Sequence, residues 1–164
     1  MYCFTYGSNM STRRLQARAP SARFVAVATL GAHRLVFHKF SRRDRSAKCD
    51  AYFTCDPDDR VVGVVYDIHE SDKPALDRAE GLGFGYDEKT VEVVATEGHR
   101  LTARLYYATH IEPDSRPYTW YRHHVLVGAR EHGLPDHYIK TIEAVDADED
   151  PNRARNRREL SLYA

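Results

Sequence analysis

Residues 61–68, VVGVVYDI, constrain the fold of this chain more than any other segment. The run is rich in β-branched residues and apolar on both faces, a pattern typical of a strand that neighbours cover on both sides. We therefore predict a central strand at residues 61–68, with the rest of the chain arranged around it.

Further strand and helix patterns flank this central strand. The predicted strands are residues 2–6, 24–30, 33–40, 51–54 and a hairpin of 86–96 with 101–109, and the predicted helices are residues 11–18, 71–80, 118–132 and 136–144. Residues 24–30 and 33–40 are expected to pair, and the polar residues 41–48 to form an exposed loop. The pattern indicates an α+β fold built on a curved or closed, antiparallel-rich sheet.

Length and charge limit the domain organisation and the partners. A chain of 164 residues fits a single domain, which we place at residues 1–145. Residues 146–164 form a charged C-terminal tail that we expect to be mobile. The 24 basic and 24 acidic side chains balance. This balance argues against a nucleic-acid-binding protein, which needs a net basic face.

The N-terminal segment and the cysteines bear on location. MYCFTYGSNM lacks the basic start and the apolar stretch of a secretory signal, and no run approaches the roughly 18 apolar residues of a membrane span. Cys3, Cys49 and Cys55 are an odd number without disulfide-framework spacing, which favours free thiols in a reducing compartment. We expect a cytoplasmic protein without a membrane partner. The oligomeric state, monomer or homodimer, stays open.

A tight turn follows the first predicted strand. Tyr6, Gly7, Ser8 and Asn9 end the strand just before a predicted helix, where several backbone N–H groups have no partner inside the helix. Such groups bind a carboxylate or a phosphate. An ordinary strand-to-helix turn, with Gly at the bend and Ser or Asn as the cap, explains the same spacing. The turn alone leaves both interpretations open.

Glu80 is the second candidate site residue. It ends the predicted helix 71–80, immediately before the glycine-rich residues 81–85, which let backbone approach a ligand. A carboxylate at a helix C-terminus faces the negative end of the helix dipole, which is mildly unfavourable. Glu80 also shares a helix face with the apolar Leu76 four residues earlier. A solvent-facing glutamate at the end of a helix is the plain alternative.

Four motifs in order resemble those of the γ-glutamylcyclotransferase-like family. They are YGSN at residues 6–9, VGVVY at 62–66, LDRAEG at 76–81 and GAREHGLP at 128–135, and they span the chain to about Val145. Several motifs in the right order are far more specific than one tetrapeptide. The resemblance implies a small mixed β-barrel flanked by helices. It also implies an enzyme that converts a γ-glutamyl amide to 5-oxoproline and a free amine.

The resemblance implies roles for individual residues. Glu80 occupies the place of the family's general acid/base. Two further sets fall where the family has its substrate-binding turn and its substrate-lining tyrosines: Tyr6, Gly7, Ser8 and Asn9, and Tyr86, Tyr106 and Tyr121. Tyr107 also falls roughly where the family has a substrate-lining tyrosine. Tyrosines that only pack and make one hydrogen bond each explain the aromatic positions equally well.

The sequence indicates neither a metal site nor a hydrolase nucleophile. The nine histidines provide no H-x-x-x-H pair, and Cys49 and Cys55 lack C-x-x-C spacing. Ser8 lacks the flanking glycines of a G-x-S-x-G elbow. His123 and His124 are expected on an exposed part of their helix. We expect an enzyme with no metal or cofactor whose partner is a small γ-glutamyl substrate.

Several alternatives remain at this level. The leaving group is either an amino acid or another amine, and the residue at the position of Asn9 disfavours glutathione, because glutathione-specific relatives usually have a different residue there. A non-catalytic relative that binds a small metabolite or a protein is the alternative from another class. Arginine-rich runs at residues 42–45 and 153–158 leave nucleic-acid binding as a third.

Overall fold

Seven strands and five α-helices make up the fold, and the structure, a computed structural model, describes all 164 residues. In chain order the elements are β1 (Tyr2–Thr5), α1 (Thr12–Gln16), β2 (Arg23–Gly31), β3 (His33–Ser41), β4 (Ser46–Phe53), β5 (Arg60–Asp67), α2 (Lys73–Glu80), β6 (Tyr86–Ala95), β7 (Arg100–Ala108), α3 (Thr119–Glu131), α4 (Asp136–Glu143) and α5 (Arg153–Leu160). Short 3-10 turns lie at Ser8–Met10, Glu70–Asp72 and Ser161–Tyr163. None of the helices has both the length and the apolar character needed to cross a membrane.

Five of the strands close into a barrel in the order β1-β5-β2-β6-β7. The predicted central strand is β5, which pairs antiparallel with β1 on one side and with β2 on the other, and whose Val61, Val64 and Val65 are fully buried. A parallel contact between Cys3 of β1 and Arg104 of β7 closes the barrel. The remaining barrel pairs are antiparallel. The predicted α+β fold with a closed, antiparallel-rich mixed barrel is confirmed.

Helix α3 packs across the turn that follows β1. A Cβ atom added to Gly128 of α3 would lie 2.4 Å from the backbone nitrogen of Ser11 and 2.5 Å from Cβ of Met10. Only glycine therefore allows this close approach. Because Met10 is itself fully buried, the contact holds the end of the turn against the core.

The predicted pairing of residues 24–30 with 33–40 is wrong. β2 lies in the barrel between β5 and β6, whereas β3 pairs with β4 in a separate two-stranded sheet. Gly31 and Ala32 resemble a two-residue hairpin loop, but β2 buries its apolar residues against the distant β5. Strand pairing depends on such long-range packing more than on local spacing.

The predicted exposed loop at residues 41–48 is also wrong in its second half. The β3–β4 hairpin continues through it, with Ser41 opposite Ser46. Asp44 is buried and accepts hydrogen bonds from the Ser46 N–H at 3.2 Å and from Nζ of Lys48 at 2.7 Å. The polar side chains satisfy one another, so a polar segment could be buried.

The C-terminal residues 146–164 are folded onto the domain, so the expectation of a mobile tail is wrong. Nε1 of the buried Trp120 donates to Oδ2 of Asp150 at 2.8 Å. Arg155, in α5, binds both oxygens of the same carboxylate at 2.6 Å. Some of the charges that suggested a solvated tail are instead paired within the segment, as Arg155 is with Asp150.

The expectation that both histidines of α3 are exposed is wrong for His124, whose side chain has 0% exposure. Its Nδ1 lies 2.7 Å from the Tyr163 hydroxyl, and its Nε2 lies 3.2 Å from Oε2 of Glu159. Burial lowers the pKa of His124 to about 4. The hydrogen bond with His124 and the nearby Arg14 lower the pKa of Glu159 to about 2. The C-terminal segment covers this histidine.

Candidate active site

One pocket opens at the end of β1, where the turn after β1, helix α2, the β3–β4 hairpin and helix α3 meet. It encloses about 380 Å³ up to its open mouth. The lining residues are Cys3, Phe4, Thr5, Tyr6, Gly7, Ser8, Asn9, Cys49, Glu80, Tyr86, Tyr106 and Tyr121. Eight of the predicted site residues are in this set, and the ninth, Tyr107 on β7, is not. The fold thus brings together residues that are far apart in the sequence.

Helix α2 presents Glu80 to the pocket. Leu76, one turn earlier on the same face, is fully buried and fixes the orientation of the helix. Asp77 accepts a hydrogen bond from the hydroxyl of Tyr106 on β7 at 2.5 Å, which ties the helix to the barrel. The Glu80 side chain keeps 15% exposure. It is therefore held at the pocket wall and not in bulk solvent.

Two side chains bind a single oxygen of Glu80. Nδ2 of Asn9 and Nη1 of Arg18 each donate to Oε1 of Glu80 at 2.7 Å. Nη1 of Arg18 also lies 2.8 Å from Oδ1 of Asn9, which closes a triangle of three polar groups. Oε2 of Glu80 accepts no hydrogen bond from the protein and remains available to a ligand.

Arg18 is the site residue that the sequence analysis missed. It follows α1, which Ser11 caps and which is anchored by the fully buried Leu15. Three residues later, the N–H and hydroxyl of Ser21 donate to Asp72, at the start of α2, at 2.9 and 2.7 Å. This contact docks the end of α1 against α2. No sequence signal distinguishes Arg18 from its neighbouring arginines, because only tertiary docking brings it to Glu80.

The turn and strand β4 approach each other closely at Gly7. A Cβ atom at this position would lie 2.9 Å from Cβ of Cys49 and 3.4 Å from the hydroxyl oxygen of Tyr121. Any larger residue would push the turn out of the pocket wall. The backbone N–H of Gly7 donates to no acceptor within the protein. It is therefore a free donor at the pocket.

The hydroxyl groups of the pocket tyrosines differ in the hydrogen bonds that they make. Tyr6 donates to the backbone carbonyl of Tyr106 at 2.5 Å, and Tyr86 donates to that of Cys49 at 2.5 Å. The Tyr121 hydroxyl instead accepts from the Cys49 N–H at 3.0 Å, and its own proton has no oxygen or nitrogen acceptor in the protein. Tyr121 thus has a donor left for a ligand, whereas Tyr6 and Tyr86 present their rings.

Burial keeps the thiol and phenol groups of the pocket protonated. It raises the pKa of the Cys3 thiol to about 12 and that of Cys49 still further. Burial also raises the pKa of all four pocket tyrosines well above their usual range. These thiols and phenols stay protonated at neutral pH. Glu80 is the only carboxylate that lines the pocket. No group of three or more His, Cys, Asp or Glu side chains is placed to hold a metal ion.

Comparison with known proteins finds relatives in the family that the four sequence motifs resemble. A profile of the AIG2-like family matches residues 60–142. The mouse γ-glutamylcyclotransferase is 35% identical over 149 residues, covering 89% of this chain and 79% of the relative. The human γ-glutamylcyclotransferase is 34% identical over 146 residues, covering 87% and 77%. A solved structure of a γ-glutamyl cyclotransferase superimposes with a TM-score of 0.86 at 30% identity, over 98% of this chain and 96% of that one. The chain belongs to the AIG2-like, or γ-glutamylcyclotransferase-like, family.

Proposed function

We propose that this chain is a lyase that converts a γ-glutamyl amide to 5-oxoproline and a free amine, with Glu80 as general acid/base. Family membership supports the reaction. The role of Glu80 is supported by one observation. Glu80 is the only carboxylate in a pocket whose thiols and phenols stay protonated. Proton transfer at neutral pH therefore falls to this residue.

The reaction uses a nucleophile that the substrate already has. The α-amine of the γ-glutamyl group attacks its own γ-carbonyl carbon, the new C–N bond closes a five-membered lactam, and the bond to the leaving nitrogen breaks. A free α-ammonium has a pKa of roughly 7.7–8.0 and cannot attack while it is protonated. A base must take its proton, and the departing nitrogen must receive one.

The free oxygen of Glu80 suits this transfer. Oε1 is held by Asn9 and Arg18, while Oε2 accepts from no protein donor. Oε2 would take a proton from the α-ammonium and return it to the leaving nitrogen. The second proton that the α-nitrogen loses as the lactam forms would follow the same route, so that the amine leaves as an ammonium ion. General acid–base catalysis of this kind contributes typically about 10²–10⁴-fold. Binding the substrate folded back on itself supplies more, since effective molarities of well-oriented intramolecular reactions reach about 10⁵–10⁸ M.

The turn of residues 6–9 would bind the substrate's anionic groups. The N–H of Gly7 has no acceptor in the protein, and the hydroxyl of Tyr121 has no oxygen or nitrogen acceptor there. We propose that they bind the glutamyl α-carboxylate or the oxyanion that develops on the γ-carbonyl. The rings of Tyr6, Tyr86 and Tyr106 would enclose the aliphatic part of the glutamyl group.

The cysteines bear on the cellular compartment in which this reaction takes place. All three are free, and Cys3 and Cys49 are buried. Free thiols fit a reducing compartment, so we propose that the enzyme acts in the cytoplasm.

The experiment is to measure 5-oxoproline by mass spectrometry after incubating the purified protein with a γ-glutamyl-amino acid, a γ-glutamylamine or glutathione. Glu80→Gln keeps an acceptor for Asn9 and Arg18 but removes the base. We expect it to lower kcat by about 10²–10⁴-fold without a change in melting temperature.

Glu97→Gln is the matched control, because the Glu97 side chain is 88% exposed in the β6–β7 turn. Equal rates for Glu80→Gln and the parent would remove Glu80 from the acid/base role. A parent that binds γ-glutamyl compounds but releases no 5-oxoproline would instead support the non-catalytic alternative.

A further inference from the structure

The pocket opens past Glu80 into a wider groove of about 1100 Å³, counted to its open side. Ser8, Glu80, Tyr86 and Tyr121 line both the pocket and the groove. In the proposed function the pocket holds the glutamyl group. The part of a substrate beyond the scissile amide, which is the leaving amine, would therefore extend into the groove.

The groove carries an excess of positive charge. Seven basic side chains and three carboxylates line it. Five of the seven form ion pairs with carboxylates of the protein. Lys39 and Arg43 form none. Arg43 is exposed and solvated, whereas Lys39 is not.

Lys39 is a mostly buried residue whose ammonium has no anionic partner. The residue has 8% exposure, and its ammonium reaches the groove and makes no hydrogen bond and no ion pair within the protein. Nζ lies 4.7 Å from the centre of the Tyr86 ring, at the boundary between pocket and groove. Burial lowers the pKa of its ammonium, and the charges of Glu80 and Asp44 oppose this effect.

An ammonium in this position is partly desolvated without a paired anion. Partial burial of a charge lowers stability, and a cation–π contact offsets part of that cost. A methionine could fill the same space without the penalty. A cost of this kind is typical of groups whose partner is a ligand.

We propose that Lys39 binds a carboxylate of the leaving amine, so that γ-glutamyl conjugates of acidic amino acids are the preferred substrates. This proposal rests on the proposed function. One carboxylate of the leaving amino acid would pair with Lys39. A second would lie in the basic groove near Arg43, where the surplus of positive charge attracts anions.

The experiment compares three donors that share the glutamyl group and differ stepwise in the leaving amine. γ-Glutamyl-ethylamine has no carboxylate on that side, γ-glutamyl-alanine adds one, and γ-glutamyl-aspartate adds a second. We expect kcat/KM of the parent to rise in that order. A hydrogen-bonded charge pair contributes about 10- to 100-fold, which is the expected step from ethylamine to alanine.

Lys39→Met tests the residue itself. We expect it to lower kcat/KM for the alanine and aspartate donors about 10- to 100-fold and to leave the ethylamine donor unchanged. Because the ammonium is unpaired, we expect the variant to melt at the same temperature as the parent or higher. Lys39→Gln, which keeps a hydrogen-bond donor, should lose less.

Lys89→Met is the matched control. Lys89 is a half-buried lysine whose Nζ lies 5.2 Å from the centre of the Tyr107 ring, and it lines neither the pocket nor the groove. It should leave all three donors unaffected.

Three outcomes would overturn the proposal. The first is equal kcat/KM for the three donors in the parent. The second is a ranking of the donors that is the same in Lys39→Met as in the parent. The third is an equal loss of kcat/KM for all three donors in that variant. The last would place Lys39 on the glutamyl side or in the fold. No 5-oxoproline from any donor would instead contradict the proposed function, and the Lys39 proposal would fall with it.

Discussion

The side-chain amide of Asn9 donates to Oε1 of Glu80 across 2.7 Å, joining the turn after β1 to the end of α2 over 71 residues of sequence. The carbonyl of the same amide accepts from Arg18. Both ends of the Asn9 side chain are therefore used within the protein. We infer that Asn9 orients the carboxylate, and that ligand contacts in the turn come from the backbone.

Replacing Asn9 by Ala or Arg18 by Met should lower kcat about tenfold each, since each removes one charge-assisted hydrogen bond to Glu80. KM should change less, because neither side chain is proposed to touch substrate. The double variant should lose less than the product of the two, since both residues bind the same oxygen. Steady-state kinetics of the four proteins measure this coupling. Arg13→Met, at an exposed arginine of α1, is the control, and strictly multiplicative losses would contradict the shared role.

Gly128→Ala should lower the free energy of unfolding by about 1–3 kcal/mol, because the added methyl group overpacks the contact between α3 and the turn. The distance of 2.4 Å to the backbone nitrogen of Ser11 leaves no room for it. Urea denaturation measures the change. Gly31→Ala is the control, since nothing lies within 4 Å of a Cβ there. Equal stability of the two variants would show that α3 can move away from the turn without cost.

Stability should fall as the pH drops from 6.5 towards 4, because of His124. Its pKa is about 4 in the folded protein against an ordinary value of 6.5. The unfolded chain therefore binds more protons in this window, and the free energy of unfolding decreases as pH falls. The low pKa of Glu159, about 2 against 4.5, adds a loss of the same sign only below pH 4.5. The interval between 6.5 and 4.5 therefore separates His124 from Glu159. Burial also lowers the pKa of His33, His123 and His132, which add losses of the same sign in this interval.

Urea denaturation near pH 7 and near pH 5 measures this effect, which we expect to be about 2 kcal/mol. His124→Gln should reduce the dependence on pH, because glutamine has no proton to gain. His137→Gln, at an exposed histidine of α4, should leave it as in the parent. An equal pH dependence in His124→Gln and the parent would assign the effect to other groups.

Asp150→Ala should release the C-terminal segment from α3. It leaves the buried indole N–H of Trp120 without an acceptor and Arg155 without its carboxylate, which costs about 2 kcal/mol or more. Trp120 is the only tryptophan and is 4% exposed, so its fluorescence should shift to longer wavelength. Asp148→Ala, whose carboxylate is exposed, is the control. Matching spectra for both variants would mean that Asp150 does not hold the segment.

Much of this fold follows from local patterns in the sequence. The run at residues 61–68 predicted a strand covered on both faces, and it is β5, which pairs with β1 and β2 in the barrel. The hairpin β6–β7 and the helices α2, α3 and α4 occur within a few residues of their predicted bounds. Short-range periodicity and capping decide such elements. The site residues were identified as a set because several motifs in order resemble one family.

Tertiary structure alone decided which elements meet. β2 and β3 are neighbours in the chain but belong to different sheets, and Arg18 reaches Glu80 only because Ser21 and Asp72 dock α1 against α2. The burial of Lys39 depends in the same way on where β3 lies against Tyr86. Contacts between residues far apart in the chain depend on packing free energy summed over the whole fold, and no local pattern encodes that sum.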